Sequence, residues 1–465
     1  MPCCPFPLIC LLLTAGVAYA QSSGSGSRLR DWTSTDGKAI SGRMMGTDGT
    51  SVTLLVKSTG KEAKVPLARL SEEDRAFVAE TGWPSPRRWN KWPNDIKLGL
   101  GDVDVRLASS AAGRYVYHSR HFEFVSEDEL AQTPAKDIAR MFEATYSLLQ
   151  ASPWGILAKP KGDRFRAELY SSRASYIKAG GPPESAGVYM LQKKVFMVPF
   201  ETLGLEQTSS GWQRSKDYST RTLIHELTHM MMDDALIGMP MWLAEGAAEY
   251  MELMPMKIGT FSPASHLAAV KEQHAQQRAF PLLEALTMSR EKWDRGGAEE
   301  ATPVPQPSRG GLVPMRVTGQ TTLGRQEAIL SLYEAGLLLT YYFIHLDGDG
   351  DAARLQRFIA ACAKNSKRLD RYFVLAEQYD KAFEEFKKHP DVLHVGENQY
   401  RFPPTLKPPV PPAWPFDGEP GEIHTADLDL LLGGRSPQAM IAEAEAAIAK
   451  AQIVAAPATL KGRDR

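Results

Sequence analysis

The sequence predicts an α+β protein whose strands come first and whose helices come last. Three observations carry this. Short alternating apolar runs, broken by Asp36-Gly37 and Asp48-Gly49, mark a small β-rich module at 28–82. Across 115–200 the runs HFEFVSE, RFRAELYSS, AGVYMLQ and KKVFMVPF have strand composition, and KDIARMFEATYSLLQ has helical spacing. After residue 218 the spacing of apolar residues is mainly helical.

Composition bounds the function classes. The 465 residues balance 54 Lys plus Arg against 55 Asp plus Glu, a net charge of −1. A nucleic-acid surface needs a basic excess or stripe, so no nucleic-acid partner is expected. With 43 % hydrophobic and 23 % charged residues the chain is neither disordered nor a multi-span membrane protein.

The elements follow in order. Residues 8–18 (LICLLLTAGVA) are one apolar run, shorter than the roughly 20 residues a spanning helix needs. The run ends in Ala18-Tyr19-Ala20, so residues 1–20 read as a signal peptide cleaved after Ala20. No basic residue precedes the run, which leaves a retained anchor as the alternative. The expected location is secreted, periplasmic or cell-envelope, with no membrane span after cleavage. Cys3, Cys4 and Cys10 lie inside the signal, and Cys362 reads as a small buried apolar residue.

Residues 21–27 form a flexible Gly/Ser linker. The 28–82 module ends in SEEDRAFVAETG, a short helix with Ser71 as its cap. Residues 83–114 read as a linker, and 83–95 carries three Pro and three Trp. Those Trp side chains are expected to bridge the boundary rather than stack on a ligand. The main domain is 115–390, with a flexible insertion at 296–325 that is rich in Gly, Pro and Thr and could serve as a lid. Asp347-Gly348-Asp349-Gly350-Asp351 lacks the spacing and terminal Glu of a calcium loop and reads as a turn between helices. Residues 391–465 hold a Pro-rich stretch at 403–420 and an Ala/Glu/Lys helix at 437–452.

The chemistry sits at His225-Glu226-Leu227-Thr228-His229, an H-E-x-x-H. On a helix the two histidines are one turn apart on one face, so both can bind one Zn²⁺. Glu226 projects beside them, placed to take a proton from water. Ser219 or Thr220 can cap this helix. A catalytic zinc needs a third protein ligand. Glu245, sixteen residues after His229, lies with Glu249 on one face of a second helix that opens at Pro240. Asp233-Asp234 read as solvated loop acids, with a capping or histidine-bonding role as the alternative. His118 and His121 have no ligand partner at suitable spacing.

These residues carry two family resemblances. HELTH followed by WLAEGAAEY resembles the gluzincin metallopeptidases, the clan of thermolysin and the zinc aminopeptidases. The resemblance covers about 115–385 and is nearest to exported peptidase-like proteins of planctomycetes, in which a mixed sheet precedes H-E-x-x-H and helices follow. It implies zinc held by His225, His229 and Glu245, with Glu226 as general base. Glu249 falls where the clan places a carboxylate that orients a ligand histidine; a solvated helix Glu, or an exchange of roles with Glu245, remains open. Tyr333-Glu334-Ala335-Gly336 resembles the aminopeptidase segment whose Tyr hydrogen-bonds the developing oxyanion, and a core Tyr is the alternative. The aminopeptidase segment that holds a free substrate amine is absent, and Val195–Val198 is expected as an edge strand open to an extended peptide. Independently, W-x-x-x-D-G-K through V-P-L-x-x-L-S-x-x-D in 28–82 resembles the Sla homology domain, an SH3-like barrel. That implies a module with a protein or cell-surface ligand, or a spacer.

The expected function is therefore an exported zinc metallopeptidase with a peptide or protein substrate. The rivals are a catalytically silent zinc-binding scaffold and a zinc hydrolase of a non-protein amide.

Overall fold

A computed structural model describes residues 29–81, 89, 91–183, 185–215, 218–257, 259–274, 280–294, 323–396, 399–416 and 427–454. The expected signal peptide, the 21–27 linker and nearly all of the 296–325 insertion lie outside these residues. The fold is α+β.

The N-terminal module is a meander of β1 (Arg30–Thr33), β2 (Ala39–Thr47), β3 (Ser51–Val56) and β4 (Glu62–Pro66), followed by α1 (Glu72–Thr81). Gly37 and Gly49 adopt φ of 77° and 83° in the first two turns, which is what the Asp-Gly pairs are for. Strand alternation drives Trp32, Met44, Val52 and Leu54 inward. Ser71 caps α1 by accepting from the Asp74 amide at 3.2 Å. No strand ladder joins β1 to β4. Their ends are linked instead through the segment after β4, where the Ser71 amide donates to the Thr33 carbonyl at 2.8 Å.

The expected linker is structured where it is described. Trp89 is buried and donates to the Ala151 carbonyl at 3.1 Å, and Trp92 donates to the Tyr250 hydroxyl at 2.7 Å. After β5 (Ile96–Lys97) comes a six-stranded sheet. Its strands are β6 (Arg106–Ala111), β7 (Arg114–His118), β8 (Phe122–Ser126), β9 (Phe165–Tyr170), β10 (Val188–Met190) and β11 (Val195–Pro199), in the order β10-β11-β9-β8-β7-β6. The sheet thus begins inside the stretch expected as linker. All six positions of β6 are exposed, so it carries no apolar alternation to read.

The order corrects a second expectation: Val195–Val198 is not an edge. β11 is parallel to β9 and antiparallel to β10, and all five of its residues are buried. The edge beside it is β10. Phe196 and Val198 face the main core with α2 (Gln132–Ala151), whereas Val195 and Met197 face a smaller cluster with Tyr176 of α3 (Arg173–Lys178).

Beyond the hairpin β12 (Leu205–Thr208) and β13 (Gly211–Arg214) the chain is mainly helical. In order come α4 (Arg221–Met231), α5 (Asp233–Leu236), α6 (Met241–Glu252), the short β14 (Met256–Lys257) and β15 (Thr260–Phe261), α7 (His266–His274), α8 (Leu282–Thr287), α9 (Arg290–Asp294), α10 (Leu323–His345) and α11 (Ala353–Lys387). β16 (Leu393–Gly396), β17 (Gln399–Arg401), α12 (Asp429–Leu432) and α13 (Pro437–Lys450) complete the fold. Helix α4 lies against α2, β10 and β11 on one side and α6 on the other, and α10 runs along α6. Cys362 of α11 is buried, and burial pushes its thiol up. Asp347 sits in the α10–α11 turn, where Arg354 pairs with it at 2.8 Å. The C-terminal helix α13 docks through Met440, Ile441, Ala444 and Ile448. Arg43 with Asp429, and Arg357 with Glu62 at 2.7 Å, tie the N-terminal module to the helical region.

Candidate metal centre

Helix α4 places the H-E-x-x-H side chains. Leu223, Ile224, Leu227, Met230 and Met231 are buried around it, so the helix is inside the protein rather than on its surface. His225, Glu226 and His229 are buried too, at 4, 3 and 6 % exposure. Thr220 stands at the N-cap but makes no side-chain cap bond; Ser219 accepts from the Arg221 amide at 3.3 Å. Helix α6 begins after Pro240, which holds the N-cap position, and Glu245 points from it towards both histidines.

Three donor atoms meet. Glu245 Oε2 lies 3.3 Å from His225 Nε2 and 3.5 Å from His229 Nε2. Two atoms bonded to one tetrahedral zinc at about 2.0–2.1 Å stand about 3.4 Å apart. His229 Nε2 and Glu245 Oε2 are buried and make no hydrogen bond of acceptable geometry. Buried polar atoms are normally satisfied, so a pair left open and aimed at each other fits a cation between them. Burial opposes the Glu245 charge, but His229 and His225 outweigh it and hold the carboxyl well below the usual carboxylate range. The residues present therefore fit a zinc ion of the His₂Glu type.

Behind the trio, His225 turns its other ring nitrogen to two more carboxylates. Nδ1 is 3.2 Å from Glu252 Oε2 and 3.5 Å from Glu249 Oε1. Burial alone would push the His225 imidazole down; the bonds to Glu245 and Glu252 and the charge of Glu249 carry it well up. An acceptor at Nδ1 fixes the proton there and leaves the Nε2 lone pair for a metal. Glu249 is thus beside the histidine as expected, but Glu252 is closer. Sequence reasoning missed Glu252, although its spacing from Glu245 and Glu249 puts all three on one helical face.

Tyr333 of α10 is brought to the same place. It is nearly buried, and its hydroxyl is within hydrogen-bond reach of Glu245. Burial, then the charges of Glu245, Glu249 and Glu226, push the phenol well up, so it stays a donor.

Other candidates have separate roles. Asp233 is not a solvated loop acid: it is 4 % exposed and pairs with Lys194 of the β10–β11 turn at 2.5 Å. Asp234 is the more open of the two and lies 3.5 Å from the same ammonium. His121 pairs with buried Glu143 at 2.6 Å, and His118 with Glu123 at 3.2 Å. No protein-family model matches this chain, and no curated protein matches it.

Proposed function

We propose that this chain is an exported zinc metallopeptidase that hydrolyses peptide bonds. The observation that carries the reading is the buried meeting of His225 Nε2, His229 Nε2 and Glu245 Oε2, with two of the three atoms otherwise unsatisfied. These residues would hold the ion. When bound there, zinc supplies a Lewis acid that polarises a carbonyl oxygen and lowers the pKa of a water ligand.

The remaining work falls to the chain's own side chains. Glu226 follows His225 on α4, where it would accept the proton of the attacking water and deliver it to the leaving amine. Tyr333 keeps its proton and would donate to the oxyanion that develops on the scissile carbonyl. Glu252 and Glu249 would hold the ring of His225 in one tautomer and orientation. The edge strand β10 lies beside α4 and offers backbone groups to an extended peptide, which favours cutting within a chain. Export rests on the apolar run and Ala18-Tyr19-Ala20, and the four-stranded meander supports an SH3-like accessory module.

The reading is tested by incubating the zinc-loaded protein with a mixed peptide library and locating cuts by mass spectrometry. Cleavage should stop on chelation and return with added zinc. Zinc binding with no cleavage of any peptide would refute it and favour a silent scaffold or a non-protein amide hydrolase.

A further inference from the structure

Among the described residues Arg140, Arg166 and Arg214 have buried N–H groups without a hydrogen-bond partner, and Arg140 and Arg214 lie on neighbouring elements. Arg214 ends β13, and its Nε and Nη2 are buried with no hydrogen-bond partner among the described residues. Arg140 on α2 has a buried, unpartnered Nε, while its Nη2 donates to Asp137 at 2.9 Å. β13 rests on α2, and the charges of Arg140 and Asp137 both act on Arg214. The Arg214 guanidinium lies over the Tyr218 ring, 4.0 Å from its centre.

Among the described residues the charges do not close: Asp137 is the carboxylate whose charge acts on Arg214, and Arg140 already engages it at 2.9 Å. A buried lysine could shed its proton, but an arginine cannot. The ring of Tyr218 supports the cation but accepts none of these in-plane N–H groups. Unsatisfied buried donors are few in native proteins, and an unseen ion is one of their recognised causes. A metal cation would add to the excess charge. An oxyanion supplies both the missing charge and several lone pairs, and matches the planar guanidinium edge.

We propose that Arg214 and Arg140 form a binding site for a small oxyanion of the phosphate or carboxylate class, joining α2 to the hairpin that leads into α4. Burial, together with the charge of Arg140, pushes Arg214 down from its ordinary value, as expected of a guanidinium that lacks a counter-ion.

The test uses the full chain at constant ionic strength and chloride. Inorganic phosphate and acetate are titrated separately, and binding is followed by calorimetry and thermal unfolding. At a hundred times Kd the parent should unfold about 2–4 °C higher. Arg214→Met should bind at least tenfold more weakly while unfolding cooperatively without added anion. Arg140→Gln gives the same reading should Arg214→Met fail to fold. Phosphate against acetate as the tighter ligand identifies the anion. Binding of neither anion, or undiminished binding in both variants, would overturn the site; the second result would also result if phosphate were held at the metal centre.

Discussion

Gly246 and Gly336 meet backbone to backbone: a Cβ on Gly246 would stand 2.2 Å from the Gly336 carbonyl oxygen, and one on Gly336 2.5 Å from the Trp242 carbonyl oxygen. Gly246 directly follows Glu245 on α6, and Gly336 lies one helical turn after Tyr333 on α10. The close crossing is what lets a tyrosine from one helix reach the carboxylate of the other. Mid-helix Gly→Ala ordinarily gains about 1 kcal/mol in helix propensity. Here the obstacle is backbone, so α6 and α10 must separate, and overpacking of this kind costs about 1–3 kcal/mol. Gly246→Ala should therefore lower the unfolding midpoint despite its better propensity, as read by denaturant titration. A raised midpoint would mean that the helices are not held at this contact.

The carboxylates behind His225 should show in metal affinity. Loss of a carboxylate that orients a ligand histidine typically costs 10–100-fold. Glu252→Gln should weaken zinc binding by about that factor, and Glu249→Gln by less, because Glu252 is the nearer partner of Nδ1. Competition with a chromogenic chelator measures both. The reverse ranking would assign the histidine to Glu249.

Tyr333→Phe removes one donor and little volume. Zinc affinity should change less than threefold, while kcat should fall about 10²–10³-fold, the usual cost of losing an oxyanion donor. Unchanged kcat would make Tyr333 a core residue.

Acid stability should follow buried His266 and partly buried His345. Burial, helped by the nearby His345 charge, pushes His266 down to about 3, and burial with Lys91 pushes His345 down to about 4. Tyr250 links Trp92 to His345, with its hydroxyl 2.9 Å from His345 Nε2, an arrangement suited to neutral imidazole. In the unfolded chain each histidine titrates near about 6.5. Both folded values are lower, so the unfolded state takes up protons first as pH falls. Stability is therefore fully present above about pH 6.5 and is lost progressively towards pH 3–4. Urea midpoints of the metal-free chain between pH 7.5 and 4.5 should fall less steeply in His345→Gln than in the parent. Equal slopes would contradict the assignment.

The parts of the site that obey helical spacing were legible from sequence. His225, Glu226 and His229 share α4, Glu245 and Glu249 share α6, and the 3.6-residue period alone puts each set on one face. Glu252 was equally accessible by that rule but lay outside the family pattern. Tyr333 could be reached only through resemblance, because it comes 88 positions after Glu245 and the Gly246–Gly336 crossing is a tertiary fact. Strand order was hidden for the same reason. Five consecutive buried residues in Val195–Pro199 do signal a strand covered on both faces, and that cue argues against the edge assignment. The Asp233–Lys194 pair joins residues 39 apart, and no local pattern announces it.

The most direct measurement compares the parent with Glu226→Gln, both with zinc content determined, on the same peptide library. In the proposed mechanism Glu226 would transfer the proton and is not among the three residues that would hold the ion, so both proteins should bind one zinc. The parent should cut peptides and the variant should not, within about 10²–10⁴-fold. Equal cleavage by the two would contradict the proton-transfer role, and no cleavage by zinc-loaded parent would contradict the peptidase itself.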